Sequence, residues 1–233
     1  MIKYSKTIRG KFVSRPNRFI AKVLVGESLE TVHVKNTGRC KELLVEGCDV
    51  VLSVSDNPAR KTKYDLVAVY KKREGRPLLI NMDSQIPNDV AGEWLKKGLL
   101  FSENANIRRE VTFGKSRFDF YVEDNGRKAF VEVKGVTLEK GGIAMFPDAP
   151  TERGIKHIGE LSFARSLGYE AYVLFIVQMK DISELRPNDE THKAFGDALR
   201  DAVANGVKVL AVDCKVEEDS IEADMPIKVN LDS

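Results

Sequence analysis

The predicted fold is decided by one stretch, Ser116-Arg-Phe-Asp-Phe-Tyr-Val-Glu123, with the turn Asn125-Gly126 and the run Ala129-Phe-Val-Glu-Val-Lys-Gly-Val136 after it. Polar and apolar side chains alternate on both sides of the Asn-Gly pair, which is the pattern of half-buried β-strands. Asn-Gly between two such runs is typical of a two-residue turn, because both residues tolerate positive φ. The stretch therefore predicts a β-hairpin.

Each strand of this hairpin carries an acid, Asp119 on the first and Glu132 on the second. Side chains two apart on a strand share a face, so Lys134 is expected to project beside Glu132. On the first strand, strict alternation places Phe118 and Phe120 together on the face opposite Asp119. The two acids and the lysine are therefore expected to meet at one point.

Two carboxylates beside a lysine suit metal-assisted phosphodiester hydrolysis. Asp119 and Glu132 are the predicted ligands of a hard divalent cation, Mg²⁺ or Mn²⁺, and Lys134 is the predicted group that orients the attacking water. The spacing, an Asp followed thirteen positions later by Glu-x-Lys, resembles the PD-(D/E)XK nuclease superfamily. The alternative is a solvent-facing edge hairpin with ordinary surface charges.

Composition places the chain among soluble proteins. Of its 233 residues, 42% are hydrophobic and 31% charged, and no apolar run approaches the roughly 20 residues of a membrane span. The start has no apolar signal region, so we expect a cytoplasmic protein without membrane contact. The odd number of cysteines, Cys40, Cys48 and Cys214, without Cys-x-x-Cys spacing predicts small buried side chains, not disulfides or a zinc site.

Charge is distributed unevenly along the chain. Residues 1–80 carry 17 Lys and Arg against 8 Asp and Glu, a net charge of +9, whereas the remaining residues carry 20 against 27, a net −7. A basic module of this size indicates a polyanionic partner, most commonly nucleic acid, because neutralised phosphates release counterions. The alternative is a lysine-rich solvated surface.

The basic module, predicted as a domain over residues 1–82, reads as β-structure without a long helix. Such a set closes most economically as a five-stranded barrel of the OB type, with an SH3-like barrel or an open sheet as alternatives. The predicted strands cover residues 11–25 (interrupted near 16–17), 30–35, 49–55, 64–71 and 77–82.

Cations near the turns of this barrel are the predicted nucleic-acid contacts. The best single candidate is the loop Asn36-Thr37-Gly38-Arg39, because Gly permits a tight backbone from which Arg39 would reach a phosphate. Phe12 and Phe19 are either stacking platforms or core residues, and their alternation favours the core. The cations assigned to nucleic acid are Arg15, Arg18, Lys35, Arg39 and Lys41.

The remaining residues, 83–233, are predicted as a mixed α/β domain. Its elements run helix, three strands, helix, strand, helix, strand, which matches the αβββαβ core of the nuclease superfamily, so the whole chain is of mixed α+β class. Asn88 or Asp89 is the expected cap of the first helix and Thr151 that of the second. The helices are predicted over 90–100, from Thr151 to Gly168 and over 191–205, and the strands over 107–113, 116–123, 129–136, 171–177 and 207–212.

Several short blocks resemble the sugar fermentation stimulation protein A (SfsA) family over nearly the whole chain. The resemblance implies an N-terminal OB-type domain, a C-terminal nuclease-like domain, binding to DNA without marked sequence preference, and a link to sugar (maltose) metabolism. The blocks are Asn36-Thr-Gly-Arg39, Arg109-Glu110, Ser116-Arg-Phe-Asp-Phe120, Val131-Glu-Val-Lys134, Phe146-Pro-Asp-Ala149, Thr151-Glu-Arg-Gly154 and Lys156-His157.

Further acids are candidates for the site. Many nucleases of this superfamily add a Glu from the first helix, which would be Glu93, but Glu110 on the strand beside Asp119 competes for that role. We favour Glu110, because it falls within a matching block. Asp148 is either a further ligand or a loop cap, with the cap favoured.

The second helix contributes three polar residues to the predicted site. Arg153 and Lys156 are three apart, share a face and are placed to hold a phosphate near the helix N-terminus. His157 is a candidate proton relay, although a lone histidine on a helix is more often structural.

Two functions follow as alternatives. The first is a divalent-metal-dependent nuclease acting on nucleic acid, with DNA favoured as the partner. The second is a non-cleaving, sequence-nonspecific DNA-binding regulator linked to sugar metabolism. The intact acid pair favours the first, because two unneutralised carboxylates repel each other without a cation. The oligomeric state is left open, and a homodimer would let a nuclease reach both strands of a duplex.

Overall fold

The structure is a computed structural model that describes residues 1–36 and 38–232; Thr37, part of the predicted phosphate loop, lies outside the described residues. The elements of this part of the chain are the strands β1 (Ile2–Lys3), β2 (Thr7–Ser14), β3 (Ile20–Val25), β4 (Ser28–Val34), β5 (Asp49–Val54), β6 (Tyr64–Lys71), β7 (Leu78–Asn81), β8 (Asn106–Phe113), β9 (Ser116–Asp124), β10 (Arg127–Val136), β11 (Leu138–Lys140), β12 (Ile143–Phe146), β13 (Glu170–Val177), β14 (Glu184–Pro187), β15 (Lys208–Val216), β16 (Ser220–Pro226) and β17 (Lys228–Val229), and the helices α1 (Ile86–Leu95), α2 (Glu152–Ser166) and α3 (Asp189–Ala204).

The N-terminal module is a closed five-stranded barrel, as predicted. Its strands run in the order β4-β3-β2-β5-β6, and parallel pairing of β4 with β6, Val34 opposite Leu66, closes it. The membership of the barrel differs from the prediction. The single strand predicted over residues 11–25 divides into β2 and β3. The predicted fifth strand, β7, pairs with β6 outside the barrel.

The C-terminal module is built on a seven-stranded sheet in the order β1-β16-β15-β13-β10-β9-β8. Strands β10, β13 and β15 are parallel and the others antiparallel. Helix α1 packs on one face through Trp94 and Leu95, while α2 and α3 cover the other face through residues such as Leu161 and Phe195. The predicted αβββαβ core is present. Strand β1 joins this sheet although it precedes the barrel.

The hairpin β9–β10 forms as predicted, and Asn125 and Gly126 both have positive φ. The expected strict alternation on β9 is wrong at one point. Phe120 packs in the core under α1, but Phe118 packs in the core on the opposite face of the sheet. Tyr121 shares the face of Phe118, and Val122 that of Phe120, so the alternation on β9 shifts at Asp119. Across from this point on β8, Glu110 has a left-handed φ of 59°.

Helix α1 begins four residues before its predicted start and ends five before its predicted end. Pro87 lies in its first turn, where the N–H that proline lacks would be unpaired in any case. Asn88 and Asp89 therefore lie inside the helix, and the predicted caps are wrong. The cap of α2 is confirmed, since the Thr151 hydroxyl accepts a hydrogen bond from Gly154 N–H at 3.1 Å.

A four-stranded sheet, β11-β12-β14-β17, was not predicted from the sequence. Two of its strands, β11 and β12, form between β10 and α2, where no strand was predicted. The three cysteines are buried free thiols, as predicted. Within the described residues, the helices are too short or too polar to cross a bilayer.

Candidate metal and nucleic-acid site

The centre of the candidate site is Glu132 on β10, whose side chain is 4% exposed. One carboxylate oxygen, Oε1, accepts hydrogen bonds from Lys134 Nζ at 2.6 Å and from His157 Nδ1. The other, Oε2, is buried and has no hydrogen-bond partner among the described residues. Burial raises the pKa of Glu132, but the hydrogen bond from His157 and the charge of Lys134 outweigh it, so the net pKa is lowered. Glu132 is therefore an anion with one unused oxygen.

His157 holds Glu132 from α2. Its Nε2 lies 3.4 Å from Arg153 Nε, which can only donate, so the proton of the neutral ring is on Nδ1 and points at Glu132. Both ring nitrogens are thus engaged within the protein. This arrangement makes His157 a residue that positions Glu132, and its predicted role as a proton relay stays a prediction.

Asp119, on the neighbouring strand, is fixed by two donors. Its Oδ1 accepts from Asn88 Nδ2 at 2.8 Å, and its Oδ2 accepts from the Val133 N–H at 2.7 Å. Burial raises the pKa of Asp119 and the charge of Glu132 raises it further, against the lowering effect of both hydrogen bonds. The structure therefore brings the two predicted acids into electrostatic contact, with a mutual repulsion that a cation would relieve.

Of the two further glutamates, the structure places Glu110 near Asp119 and Glu93 far from it. On the paired strands β8 and β9, Arg109 lies opposite Phe120 and Val111 opposite Phe118, so Glu110 lies across from Asp119. The Glu110 carboxylate forms an ion pair with Arg117 Nη2 at 2.6 Å. Glu93 lies 3.9 Å from the amino terminus, close to β1 at the opposite edge of the sheet. The backbone of Glu110 is left-handed, with a φ of 59°. This conformation costs free energy at a non-glycine residue, and such strain concentrates at functional sites.

A cleft of about 330 Å³ opens between the two modules. Gly135 lines it from β10, and the loop around Asp148 lines it from the other side. The barrel closes it with Gly38, at which a Cβ atom would overlap the Asp148 carboxylate. A larger residue at this position would force the Asp148 or Asn36 side chain to move, so glycine is the residue that fits this approach without rearrangement.

Two of the five barrel cations have partners within the protein. The Arg15 guanidinium donates four hydrogen bonds of 2.6–2.9 Å to backbone carbonyls, and Lys35 Nζ lies 2.6 Å from the fully buried carboxylate of Asp83. These two side chains stabilise the loops and the joint between modules. The carbonyls that Arg15 binds belong to Arg18, Asn36, Gly38 and Arg39.

The other three cations, Arg18, Arg39 and Lys41, are exposed. They take part in no ion pair formed by residues 1–36 and 38–232. On α2, Arg153 and Lys156 are likewise exposed, and Lys156 Nζ lies 3.3 Å from the Lys115 carbonyl. Among the cations predicted to bind nucleic acid, these five remain accessible to a polyanion.

Sequence reasoning missed Asn88, which was interpreted as a helix cap and instead holds Asp119. Its sequence position gives no signal for this contact, because the contact depends on how α1 crosses the sheet. The donor set fits a metal that needs few protein ligands. The described residues hold no cluster of three or more His, Cys, Asp or Glu side chains suited to a metal, but Mg²⁺ typically uses one or two carboxylates and keeps several waters.

Comparison with known proteins gives consistent matches along the chain. Residues 85–220 match the model of the "Sugar fermentation stimulation protein RE domain" and residues 13–80 that of the "SfsA N-terminal OB domain". The chain is similar to the sugar fermentation stimulation protein homologs of Desulfitobacterium hafniense strain Y51, with 59% identity over 99% of both chains, and of Ruminiclostridium cellulolyticum, with 52% identity over 99% of this chain and 100% of the relative.

A solved structure of Pyrococcus furiosus SfsA in complex with Ca²⁺ superimposes with a TM-score of 0.83 at 26% identity, covering 98% of both chains. The fold, the domain matches and the high identity over nearly the full length agree with one another. The chain therefore belongs to the sugar fermentation stimulation protein (SfsA) family.

Proposed function

We propose that this protein is a divalent-metal-dependent nuclease that hydrolyses phosphodiester bonds in DNA, with Mg²⁺ or Mn²⁺ at Asp119 and Glu132. The observation that carries the proposal is the divided carboxylate of Glu132, with Oε1 bound by Lys134 and His157 and Oε2 buried without a partner. An unsatisfied buried anion is costly, and the natural remedy is a ligand that accepts its lone pair. That the Pyrococcus furiosus relative was solved with Ca²⁺, a hard cation of the same class, supports this choice.

A bound cation would neutralise phosphate charge and activate a coordinated water. The protein's own residues supply the rest. His157 and Asn88 fix the orientations of Glu132 and Asp119, so that neither carboxylate has to reorganise when the cation enters. The Lys134 ammonium, 15% exposed, is held by Glu132 Oε1, and the next residue on β10, Gly135, lines the cleft. From there it can orient a water and offset the charge of the scissile phosphate.

The barrel would hold the substrate. Its net charge of +9 over residues 1–80 favours a polyanion, and the exposed Arg18, Arg39 and Lys41 lie on the loops that border the cleft or next to them. The two modules thus combine backbone binding on one side with the acid pair on the other.

The test is cleavage of labelled single-stranded and duplex DNA and RNA with Mg²⁺ or Mn²⁺. We expect metal-dependent cutting that falls by at least about 100-fold in Glu132→Gln and in Lys134→Ala, since each removes a group that acts on the transition state. Glu190→Gln is the matched control, because this glutamate is 82% exposed on α3. Absence of cutting, or full activity in Glu132→Gln, would contradict the proposal.

A second function, a non-cleaving regulator that binds DNA without sequence preference and is linked to sugar (maltose) metabolism, is favoured by one observation. The curated relatives are named for sugar fermentation stimulation. Under this alternative, DNA binding persists with no metal-dependent cutting, and Glu132→Gln leaves binding unchanged.

A further inference from the structure

The two phenylalanines of the barrel differ sharply in exposure. Phe12 is 4% exposed and lies in the core, as its alternation predicted, whereas Phe19 is 56% exposed. Isolated exposed apolar residues are ordinary on protein surfaces and need no explanation by themselves. Phe19 is different because of how its backbone is held and what surrounds it.

Phe19 is presented by a fixed backbone. The Asn17 side chain accepts hydrogen bonds from the N–H groups of Phe19, at 2.9 Å, and Ile20, at 3.0 Å. The Phe19 carbonyl accepts from Val34 N–H at 2.8 Å. Because both backbone groups are bonded, the backbone at Phe19 is fixed before any ligand arrives, so binding loses little backbone entropy there.

Phe19 also belongs to the rim that meets the cleft. The Arg15 guanidinium ties the carbonyl of Arg18 to those of Gly38 and Arg39, so the loop over residues 15–19 and the backbone around Gly38 form one unit. Gly38 is the residue that contacts Asp148 across the cleft. Phe19 therefore lies next to a loop that borders the cleft.

The charges around the ring suit a nucleic acid backbone. Arg18 precedes Phe19 in the chain, and Arg39 and Lys41 follow Gly38 on the adjoining loop. All three cations are exposed and form no ion pair with the described residues. An exposed aromatic ring beside backbone-tracking cations is the combination by which proteins bind single strands.

We infer that Phe19 stacks against an unpaired nucleobase, and that the substrate of the proposed nuclease enters as a single strand. In a duplex each base is already stacked on both sides and is not available to a side chain that projects from a loop. Phe19 thus selects single-stranded over duplex nucleic acid, while Arg18, Arg39 and Lys41 bind the phosphates on either side. The conclusion that the bound single strand is a substrate rests on the proposed function, but the stacking contact itself requires no cleavage.

The test measures binding alone, with EDTA present so that no cutting can occur. The ligands are fluorescein-labelled oligothymidylate and oligouridylate of about 15 residues, within the usual site size of such barrels, and a duplex of equal length. The proteins are the wild type, Phe19→Ala, Phe19→Trp, and the control Leu29→Ala, which removes a side chain that is 59% exposed on the same barrel. Anisotropy gives the dissociation constants, and thermal melting verifies that the variants are folded.

We expect Phe19→Ala to weaken binding of the single strand about 5- to 100-fold, the effect of removing one stacking platform, and to change duplex binding less than about twofold. Phe19→Trp should restore the affinity, and Leu29→Ala should not alter it. The DNA and RNA oligonucleotides show which sugar the rim accepts.

Equal losses on single strand and duplex, an unchanged Kd in Phe19→Ala, or no binding of single strands by the wild type would overturn the inference. The cleavage assay is independent of this result. If the wild type cuts and Phe19→Ala binds single strands normally, the nuclease proposal stands and the stacking contact is rejected. If Phe19→Ala weakens binding but the wild type does not cut, the stacking contact stands and the nuclease proposal is rejected.

Discussion

Two glutamates on adjacent parallel strands, Glu132 and Glu170, are both bound by cationic side chains, yet their environments differ. Glu170, at the start of β13, receives the Arg127 guanidinium on both oxygens, at 2.7 and 2.9 Å, together with Tyr172 OH and, at 3.4 Å, Lys208. The hydrogen bonds from Arg127 act against burial and lower the pKa of Glu170 to about 2. Both of its oxygens are satisfied.

Glu132 lies three residues beyond the residue of β10 that pairs with Glu170. It is more deeply buried, yet all its donors converge on one oxygen and leave the other unused. The comparison shows that a carboxylate bound by cationic side chains is not by itself a sign of a metal site in this sheet. What marks it is a carboxylate that the protein holds in place without completing its hydrogen bonds.

The largest expected effect tests whether a cation binds the unused oxygen, Oε2, of Glu132. Saturating Ca²⁺ should stabilise the wild type by about 2.7 kcal/mol at one hundred times its Kd, since it binds the folded state. Glu132→Gln should abolish the shift, because the neutral amide attracts a hard cation poorly. Thermal melting with and without Ca²⁺ measures both.

Glu170→Gln is the matched control for this experiment, because the same substitution at a satisfied carboxylate should leave the Ca²⁺ shift intact. A shift that survives in Glu132→Gln, or disappears in both variants, would show that the unused oxygen does not bind the cation.

The next effect concerns His157, which we expect to act through Glu132. His157→Phe keeps a ring in the buried position but removes the Nδ1 donor. Loss of such a supporting hydrogen bond typically costs about 10- to 100-fold in metal affinity. The Ca²⁺ concentration that gives half the thermal shift should rise accordingly. A lower melting temperature with an unchanged Ca²⁺ midpoint would mean that His157 only packs.

Glu170 should respond to pH in the manner of an ordinary ion pair. Its folded-state pKa is depressed to about 2, so its contribution to stability is complete above the unfolded pKa of about 4.3 and is lost as the pH falls towards 2. With a quarter of its side chain exposed, we expect about 1–2 kcal/mol between wild type and Glu170→Gln at pH 7. Urea unfolding at pH 7, 5, 4 and 3 should show this difference shrinking below pH 4.5; a constant difference would contradict the assignment.

Much of the fold could be predicted from the sequence because its signals are local. Alternation around Asn125-Gly126 gave the hairpin, and Thr151 gave the start of α2, each from residues close in the chain. The predicted start of α1 was wrong because a polar residue near a helix N-terminus looks like a cap, although Asn88 is the third residue of the helix. The pairing of β1 with β16 depends on residues more than 200 positions apart, which no local pattern reports.

The site was predictable in its composition but not in its arrangement. Motif spacing identified Asp119, Glu132 and Lys134, and the structure brings them together. Sequence reasoning counted Arg15 among the barrel cations available to nucleic acid. It could not show that the Arg15 guanidinium donates its hydrogen bonds to backbone carbonyls, because the folded loops decide which carbonyls surround it.

The smallest expected effect tests whether Glu110 serves the proposed metal site, as Glu132 does, or only the fold, as Glu170 does. Its carboxylate is half exposed and paired with Arg117, as in a surface ion pair, but its backbone has a φ of 59° across from Asp119. Glycine adopts that conformation freely, so Glu110→Gly should stabilise the fold by about 1 kcal/mol or less in urea unfolding.

If Glu110 serves the acid pair, the same Glu110→Gly substitution should lower metal-dependent cleavage, and Glu110→Gln should lower it equally with no gain in stability. Glu93→Gln, at the far edge of the sheet, should leave cleavage unchanged. A gain in stability together with a loss of activity would mean that the strain at Glu110 is retained for the site. Full activity in both Glu110 variants would place it with Glu170, as a residue that serves the fold alone.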